Sequence, residues 1–127
     1  MAQVAVVSAV LIVEDEVFTR EMAKMLVEEW GYHAHSASDA DEAFAVLRSQ
    51  TPINVLFTDI YLKKQVLGGL DVAREAVRRW PDIRVLYTTG NAASETLREQ
   101  FVPGAGFIPK PYSPDQLKAA LDGLTVQ

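Results

Sequence analysis

Short apolar runs alternate with longer amphipathic segments along this 127-residue chain. Four of the runs have the length and composition of buried strands, at residues 10–13, 53–58, 84–89 and 106–109. A weaker strand candidate covers residues 32–37. Apolar runs with little polar alternation are typical of a sheet that is covered on both faces.

The segments between the runs repeat apolar residues at helical spacing, as Phe18 and Met22 do, which predicts five helices. We expect Ser38 to be the N-cap of the second helix, with Asp41 three residues later. The fifth should open at Ser113-Pro114. The fourth, over residues 92–101, has a weak apolar stripe, so we expect a loosely anchored element.

Five strand–helix pairs in strict alternation predict an α/β fold. Its parallel sheet should carry helices on both faces, joined by right-handed crossovers. The length is that of one domain, over residues 1–127. Few residues follow the fifth helix, so we expect no output domain.

Composition narrows the class of protein further. The net charge is −5, the pI is about 4.9 and long basic runs are absent, which argues against nucleic-acid binding. Cysteine is absent, which excludes disulfides and thiolate chemistry. The apolar stretch at residues 4–13 is too short to span a bilayer and lacks a basic flank, so we expect a cytoplasmic protein without membrane contact.

Polar residues follow the predicted strands where each one ends. Glu14-Asp15 follow the first strand, Asp59 the third, Thr89 closes the fourth, and Lys110 follows the fifth. In an open α/β sheet, ligands bind at the carboxyl ends of the strands. Three acids, a hydroxyl and a lysine there predict an acidic pocket that binds a cation and handles phosphate.

This set of residues, in this order, resembles the receiver domain of bacterial two-component response regulators over essentially the whole chain. The resemblance implies a flavodoxin-like sheet with strand order 2-1-3-4-5. It implies phosphorylation of Asp59 by a sensor histidine kinase or phosphotransfer protein. It also implies that Asp15, Asp59 and the backbone carbonyl of Tyr61 bind Mg²⁺, with Glu14 acting through water.

The resemblance assigns further roles around the phosphoryl group. Thr89 would be the switch hydroxyl, with Thr88 as the alternative, and Lys110 would bind phosphoryl oxygen. Phe107 matches the aromatic residue that changes rotamer, although it is equally well explained as core. Lys110-Pro111 resembles the cis peptide of the family, which would aim the lysine.

Elementary electrostatics supports a cation at this site. Two like charges about 4 Å apart repel by about 4 kcal/mol at an effective dielectric constant near 20. Mg²⁺ is suited to offset this repulsion, because it prefers oxygen ligands and bridges carboxylates to phosphate. Lys110 adds a compact positive charge.

The segment after Asp59 departs from the family pattern. Lys63 stands where the family usually has proline, and the loop is longer by one or two residues. Gly68-Gly69 predicts a more flexible loop. The position of the loop and the metal geometry beside it are therefore open.

We interpret the chain as a stand-alone phosphorylation switch rather than a metabolic enzyme. It would signal to a downstream protein through the face of the fourth helix, fifth strand and fifth helix, as a monomer or a weak phosphorylation-linked dimer. A phosphorelay intermediate or phosphate sink is the first alternative. An Mg²⁺-dependent phosphohydrolase with an aspartyl nucleophile is less favoured, because Tyr61 occupies the position of the second acid. A flavodoxin-type protein would need a phosphate loop where Glu14-Asp15 repel phosphate.

Overall fold

The computed structural model describes residues 8–125, and five strands alternate with five helices along them. The strands are β1 (Ala9–Val13), β2 (His33–Ala37), β3 (Val55–Asp59), β4 (Arg84–Thr89) and β5 (Gly106–Pro109). The helices are α1 (Val17–Glu29), α2 (Ala40–Arg48), α3 (Gly68–Arg79), α4 (Glu95–Arg98) and α5 (Pro114–Thr125).

The five strands form one parallel sheet in the order β2-β1-β3-β4-β5, which confirms the predicted fold class. β3 begins two residues later than predicted and includes Asp59 as its last residue. Asn54, just before it, accepts a hydrogen bond from the Ala9 amide at 2.7 Å through its side chain. That contact aligns the beginnings of β1 and β3.

The sheet separates two hydrophobic clusters. One cluster lies between the sheet and helices α2, α3 and α4, and the partly buried Trp80 packs against it. The other lies between the sheet and helices α1 and α5, where Trp30 packs at its edge. The near-continuous apolar strands are explained by this burial on both faces.

The N-cap of α2 lies one residue later than predicted. Asp39, not Ser38, caps the helix, and its side chain accepts from the Glu42 amide at 2.8 Å. Glu42 in turn accepts from the Ser38 amide at 2.7 Å. Asp39 and Glu42, rather than Ser38 and Asp41, therefore fix the start of α2, and Glu42 reaches back to the amide one residue before the N-cap. The predicted cap of α5 is confirmed, because Ser113 accepts from the Gln116 amide at 3.1 Å.

Helix α4 has four residues, much fewer than the ten predicted. Ser94 caps it by accepting from the Leu97 amide at 3.1 Å, and Leu97 is the buried side chain of the helix. Beyond the helix, the ring of Phe101 lies 4.3 Å from that of Tyr87 on β4. Single side chains rather than a continuous apolar stripe thus anchor this part of the chain.

Across residues 8–125, none of the helices has the length and apolar character needed to cross a bilayer. Part of the apolar stretch at residues 4–13 lies outside the described residues, and the remainder enters β1.

Candidate functional site

The carboxyl ends of β1 and β3 bring three acids together. β1 pairs with β3 in parallel, and the register that places Val13 opposite Thr58 carries Glu14 to the level of Asp59. Carboxylate oxygens of Glu14, Asp15 and Asp59 lie within 4.8 Å of one another. Glu14 and Asp59 are only 4% and 6% exposed, whereas Asp15 is half-buried.

Lys110, which follows β5, reaches two of these acids. Its Nζ lies 2.5 Å from Glu14 Oε1 and 2.8 Å from Asp59 Oδ2. β4 separates β5 from β3, so the lysine extends past the end of β4 to make both contacts. The structure therefore brings together the four charged residues that were predicted for the pocket.

Protonation of the cluster reflects its burial. Burial raises the pKa of the Asp59 carboxyl above its ordinary value, against the opposing effect of the hydrogen bond from Lys110. Burial likewise raises the pKa of Glu14, again opposed by Lys110. For Lys110 burial alone would lower the pKa, but hydrogen bonds to Asp59 and Glu14 outweigh it and raise the pKa. One lysine thus leaves the negative charge of the three acids incompletely compensated.

The donor set fits a hard divalent cation. Three carboxylates converge from neighbouring strand ends, and Mg²⁺ takes oxygen ligands, commonly one or two carboxylates with water. A backbone hydrogen bond from Tyr61 also favours the charged form of Asp59. The backbone N–H of Tyr61 thus stabilises Asp59 in its carboxylate form, which is the form that binds a cation.

Two threonines end β4 next to the acids. Asp59 pairs with Thr88 in the sheet register, and Thr89 is the next residue. The hydroxyl of Thr89 accepts from the Asn91 amide at 3.2 Å. The buried hydroxyl of Thr88 has no hydrogen-bond partner among residues 8–125. Successive strand side chains point to opposite faces, so the two hydroxyls face different layers, and the choice of Thr89 stays a prediction.

Phe107 on β5 belongs to a stack of aromatic rings. Its ring centroid lies 6.1 Å from that of Phe101, which in turn packs on Tyr87. The guanidinium of Arg98 lies 5.0 Å from the centre of the Phe107 ring. The stack connects β5 to α4 and to the segment after it. Next to the site, the peptide between Lys110 and Pro111 is cis, as the resemblance implies.

The loop between β3 and α3 is attached to the site at both ends. The backbone amide of Lys63 donates to Asp15 Oδ2 at 2.6 Å. Gly69 donates to the Ile60 carbonyl at 3.0 Å, and a Cβ on Gly69 would lie 1.9 Å from the Asp59 carbonyl oxygen. Gly68 and Gly69 are buried at the start of α3. Close packing therefore explains the two glycines, which lie at the start of α3. The flexibility of the loop stays a prediction.

Apolar side chains on α1 form an exposed surface beside the site. Phe18 is 85% exposed and Met22 is 52% exposed, while the smaller Ala23 and Val27 are the buried residues of the helix. We call the exposed side chains the α1 apolar surface; they are Val17, Phe18, Met22 and Met25. A cleft of about 660 Å³ lies between this surface and the residues Gly90, Lys110, Pro111 and Tyr112.

Sequence reasoning missed Tyr112 as part of the lining of this cleft. Burial, followed by the nearby negative charge of Glu14, raises the pKa of Tyr112 to about 12. Its ring packs edge-on against Phe57 at 5.7 Å. Tyr112 follows Lys110 by two residues, and an aromatic residue so close to a charged strand end was the available signal.

Comparison with known proteins gives the family. Residues 10–122 match the family model for the response regulator receiver domain. The nitrogen assimilation regulatory protein NtrX of Azorhizobium caulinodans is 35% identical over 109 residues, which are 85% of this chain and 24% of NtrX. The aerobic respiration control protein ArcA of Escherichia coli is 34% identical over 110 residues, or 85% of this chain and 44% of ArcA.

A solved structure agrees with these sequence relatives. The crystal structure of a response regulator receiver protein from Sinorhizobium medicae WSM419 has a TM-score of 0.85 and 26% identity, covering 93% of this chain and 94% of that one. This chain spans about a quarter of the length of NtrX. Its sheet order, its family match and these relatives together show that the chain belongs to the receiver domains of two-component response regulators, a family of phosphorylation-dependent signalling domains.

Proposed function

We propose that Asp59 accepts a phosphoryl group, in the presence of Mg²⁺, from a phosphohistidine on a sensor kinase or phosphotransfer protein. The observation that carries the proposal is the placement of Asp59 at a strand end. There Glu14 and Asp15 supply further carboxylate oxygens, and Lys110 lies 2.8 Å from Asp59 Oδ2. An aspartate nucleophile needs this combination of ionisation and nearby positive charge.

In the transfer step, a carboxylate oxygen of Asp59 attacks phosphorus. The new P–O bond forms as the P–N bond breaks, and the imidazole leaves with that electron pair. Asp15, Asp59 and the Tyr61 carbonyl would hold Mg²⁺, with Glu14 beside them. Bound Mg²⁺ supplies positive charge that neutralises the phosphoryl oxygens.

Lys110 stabilises the product. In the unphosphorylated chain its ammonium contacts Glu14 and Asp59, and a phosphoryl group on Asp59 brings new anionic oxygens to the same place. Lys110 then binds one of these oxygens as a point charge, while it remains fixed by its backbone contact from Lys110 N to the Thr89 carbonyl at 3.0 Å.

Thr89 and Phe107 then convert the chemical change into a change of surface. The Thr89 hydroxyl holds the Asn91 amide in the unphosphorylated chain and turns to donate to a phosphoryl oxygen. Movement at Thr89 and Asn91 acts on the segment before α4. The ring stack of Phe107, Phe101 and Tyr87 transmits this movement to the α4–β5–α5 face, where a downstream protein binds.

The α1 apolar surface serves the encounter with the phosphodonor. Its most exposed side chain, Phe18, lines the same cleft as Lys110. A donor that delivers phosphohistidine to Asp59 must cover this cleft, and the exposed Phe18 and Met22 then gain by burial. We therefore expect a donor with an apolar surface around its histidine.

Intact-mass measurement tests the proposal. The protein is incubated with Mg²⁺ and phosphoramidate, and in parallel with a phosphorylated histidine kinase or phosphotransfer protein. We expect one adduct of about 80 Da, the mass of a phosphoryl group. Asp59→Asn should abolish it, and Asp82→Asn, an exposed acid before β4, should not. An adduct that persists in Asp59→Asn, or no adduct with either kind of donor, would overturn the proposal.

A further inference from the structure

The backbone amide of Lys63 makes a contact that proline at this position cannot make. It donates to Asp15 Oδ2 at 2.6 Å, across 48 residues of sequence. The family pattern places proline four residues after the phosphoacceptor, and proline has no N–H. This chain has Lys63 there, and so acquires a hydrogen bond to one of the three site carboxylates.

We propose that the Lys63 amide is a positioning donor that orients Asp15 for a divalent cation. The inference rests on the proposed function, because it assigns a role in holding the cation of that same site. The role belongs to the backbone of Lys63 and not to its ammonium. Its side chain is exposed, and the residue contacts the site through the amide.

The loop that carries the amide is fixed by its own contacts. The Leu62 side chain is buried, and Leu62 forms an antiparallel bridge with Gln65. Gly68 donates to the Gln65 carbonyl at 2.8 Å, and Gly69 donates to Ile60 at 3.0 Å. Because these contacts hold the loop in place, the Lys63 amide can fix the orientation of the Asp15 carboxylate that accepts from it.

The hydrogen bond orients Asp15 without consuming its capacity to bind a cation. A carboxylate has two oxygens and about four lone-pair sites, and the amide occupies one of these on Oδ2. A carboxylate that is already held loses less side-chain freedom when the cation binds. Groups that hydrogen-bond to metal ligands in this way typically change metal affinity by about 10- to 100-fold when they are removed.

Two substitutions at one position separate the amide from the side chain. Lys63→Pro removes the N–H, whereas Lys63→Ala keeps it and removes the charged side chain. Within residues 8–125, Leu67 is the one non-glycine residue with a positive φ. The φ of Lys63 is therefore negative, which is the sign that proline requires. Affinity for Mg²⁺ is measured by calorimetric titration, after circular dichroism and thermal unfolding establish that each variant is folded.

We expect Lys63→Pro to raise the Kd for Mg²⁺ about tenfold, and Lys63→Ala to leave it near that of the wild type. Equal affinities for the wild type and Lys63→Pro would overturn the positioning role and leave the proposed function intact. Equal losses in both variants would assign the effect to the ammonium and also overturn it. A wild-type chain that binds no Mg²⁺ would overturn the proposed function and this inference together.

Amide exchange in the wild type tests the same point without a variant. We expect the Lys63 amide to be protected from exchange in chelator and to become more protected when Mg²⁺ is added, because the cation and the amide hold Asp15 together. Faster exchange at Lys63 in Mg²⁺ would show that the cation takes Asp15 from the amide. An amide unprotected in both conditions would show that the hydrogen bond is absent in solution. Either result would overturn the inference.

Discussion

Asp59→Asn should stabilise the folded chain in Mg²⁺-free buffer at neutral pH, because it removes one charge from an overcrowded acidic cluster. The Asp59 carboxylate lies within 4.8 Å of both Glu14 and Asp15. At an effective dielectric constant of about 20, each repulsion costs about 3.5 kcal/mol. The attraction to Lys110 Nζ, at 2.8 Å, is worth about 6 kcal/mol on the same scale.

The two repulsions together exceed this attraction by about 1 kcal/mol. Burial acts in the same direction, since it raises the pKa of Asp59 and thereby favours a neutral side chain. We therefore expect the free energy of unfolding to rise by about 1–2 kcal/mol, which corresponds to an increase in Tm of roughly 3–8 °C for a domain of this size.

Thermal and urea unfolding of the wild type and Asp59→Asn in chelator measure this difference. Asp82→Asn removes one exposed acid outside the cluster and controls for net charge. Saturating Mg²⁺ should reduce or reverse the advantage, because ligand binding then stabilises the wild type. If Asp59→Asn is less stable than the wild type in chelator, the contact with Lys110 outweighs both repulsions and the reasoning is wrong. An equal gain in Asp82→Asn would assign the effect to net charge.

Three further predictions concern pH, packing and a buried hydrogen bond. The gain in free energy of unfolding from Asp59→Asn should shrink as pH falls through the raised pKa of Asp59, because a protonated carboxyl is already neutral. If urea unfolding finds the same gain down to about pH 4, this expectation is wrong. Gly69→Ala should lower Tm severely, because its Cβ would lie 1.9 Å from a carbonyl oxygen, whereas Gly123→Ala, which has open space, should raise stability by about 0.5–1 kcal/mol. Tyr87→Phe should reduce stability by about 1 kcal/mol and speed amide exchange at Val102, whose amide donates to the Tyr87 hydroxyl at 3.2 Å; unchanged exchange would contradict it.

The strands were predictable where burial on both faces demands continuous apolar sequence. β1, β3 and β4 meet that condition, and their sequences are apolar throughout their centres. β2 lies at an edge of the sheet, and its sequence is correspondingly weak, with two histidines and a serine in five residues. The strand order itself came from the family resemblance, since apolar runs alone do not specify which strands are neighbours.

Local ambiguity in the sequence explains the misplaced cap, and it also leaves the buried face of α1 unspecified. Ser38 and Asp39 are both good capping residues, and each has an acid three residues later, so the sequence supports two positions for the start of α2. On α1, the stripe containing Phe18 runs beside one containing Ala23 and Val27. Hydrophobicity alone favours burial of the larger side chains, but the smaller Ala23 and Val27 are the ones that α1 buries against the sheet.

The contact between Lys63 and Asp15 was beyond local sequence reasoning for a different reason. The two residues are 48 positions apart, and the contact depends on how the loop folds over the end of the sheet. The sequence did identify the loop as unusual, through Lys63 in place of proline and through its added length. It could not reveal that the loop brings the amide of Lys63 towards the carboxylate of Asp15.

The separation of the core into two layers places one tryptophan in each layer. Trp30 follows α1 and packs against the layer shared with α5, whereas Trp80 follows α3, and its indole N–H donates to the Leu47 carbonyl at 3.3 Å. The chain contains two tryptophans in total. Trp30→Phe or Trp80→Phe would therefore leave tryptophan fluorescence from one side of the sheet. Stopped-flow refolding of the two variants could then time the assembly of each layer separately.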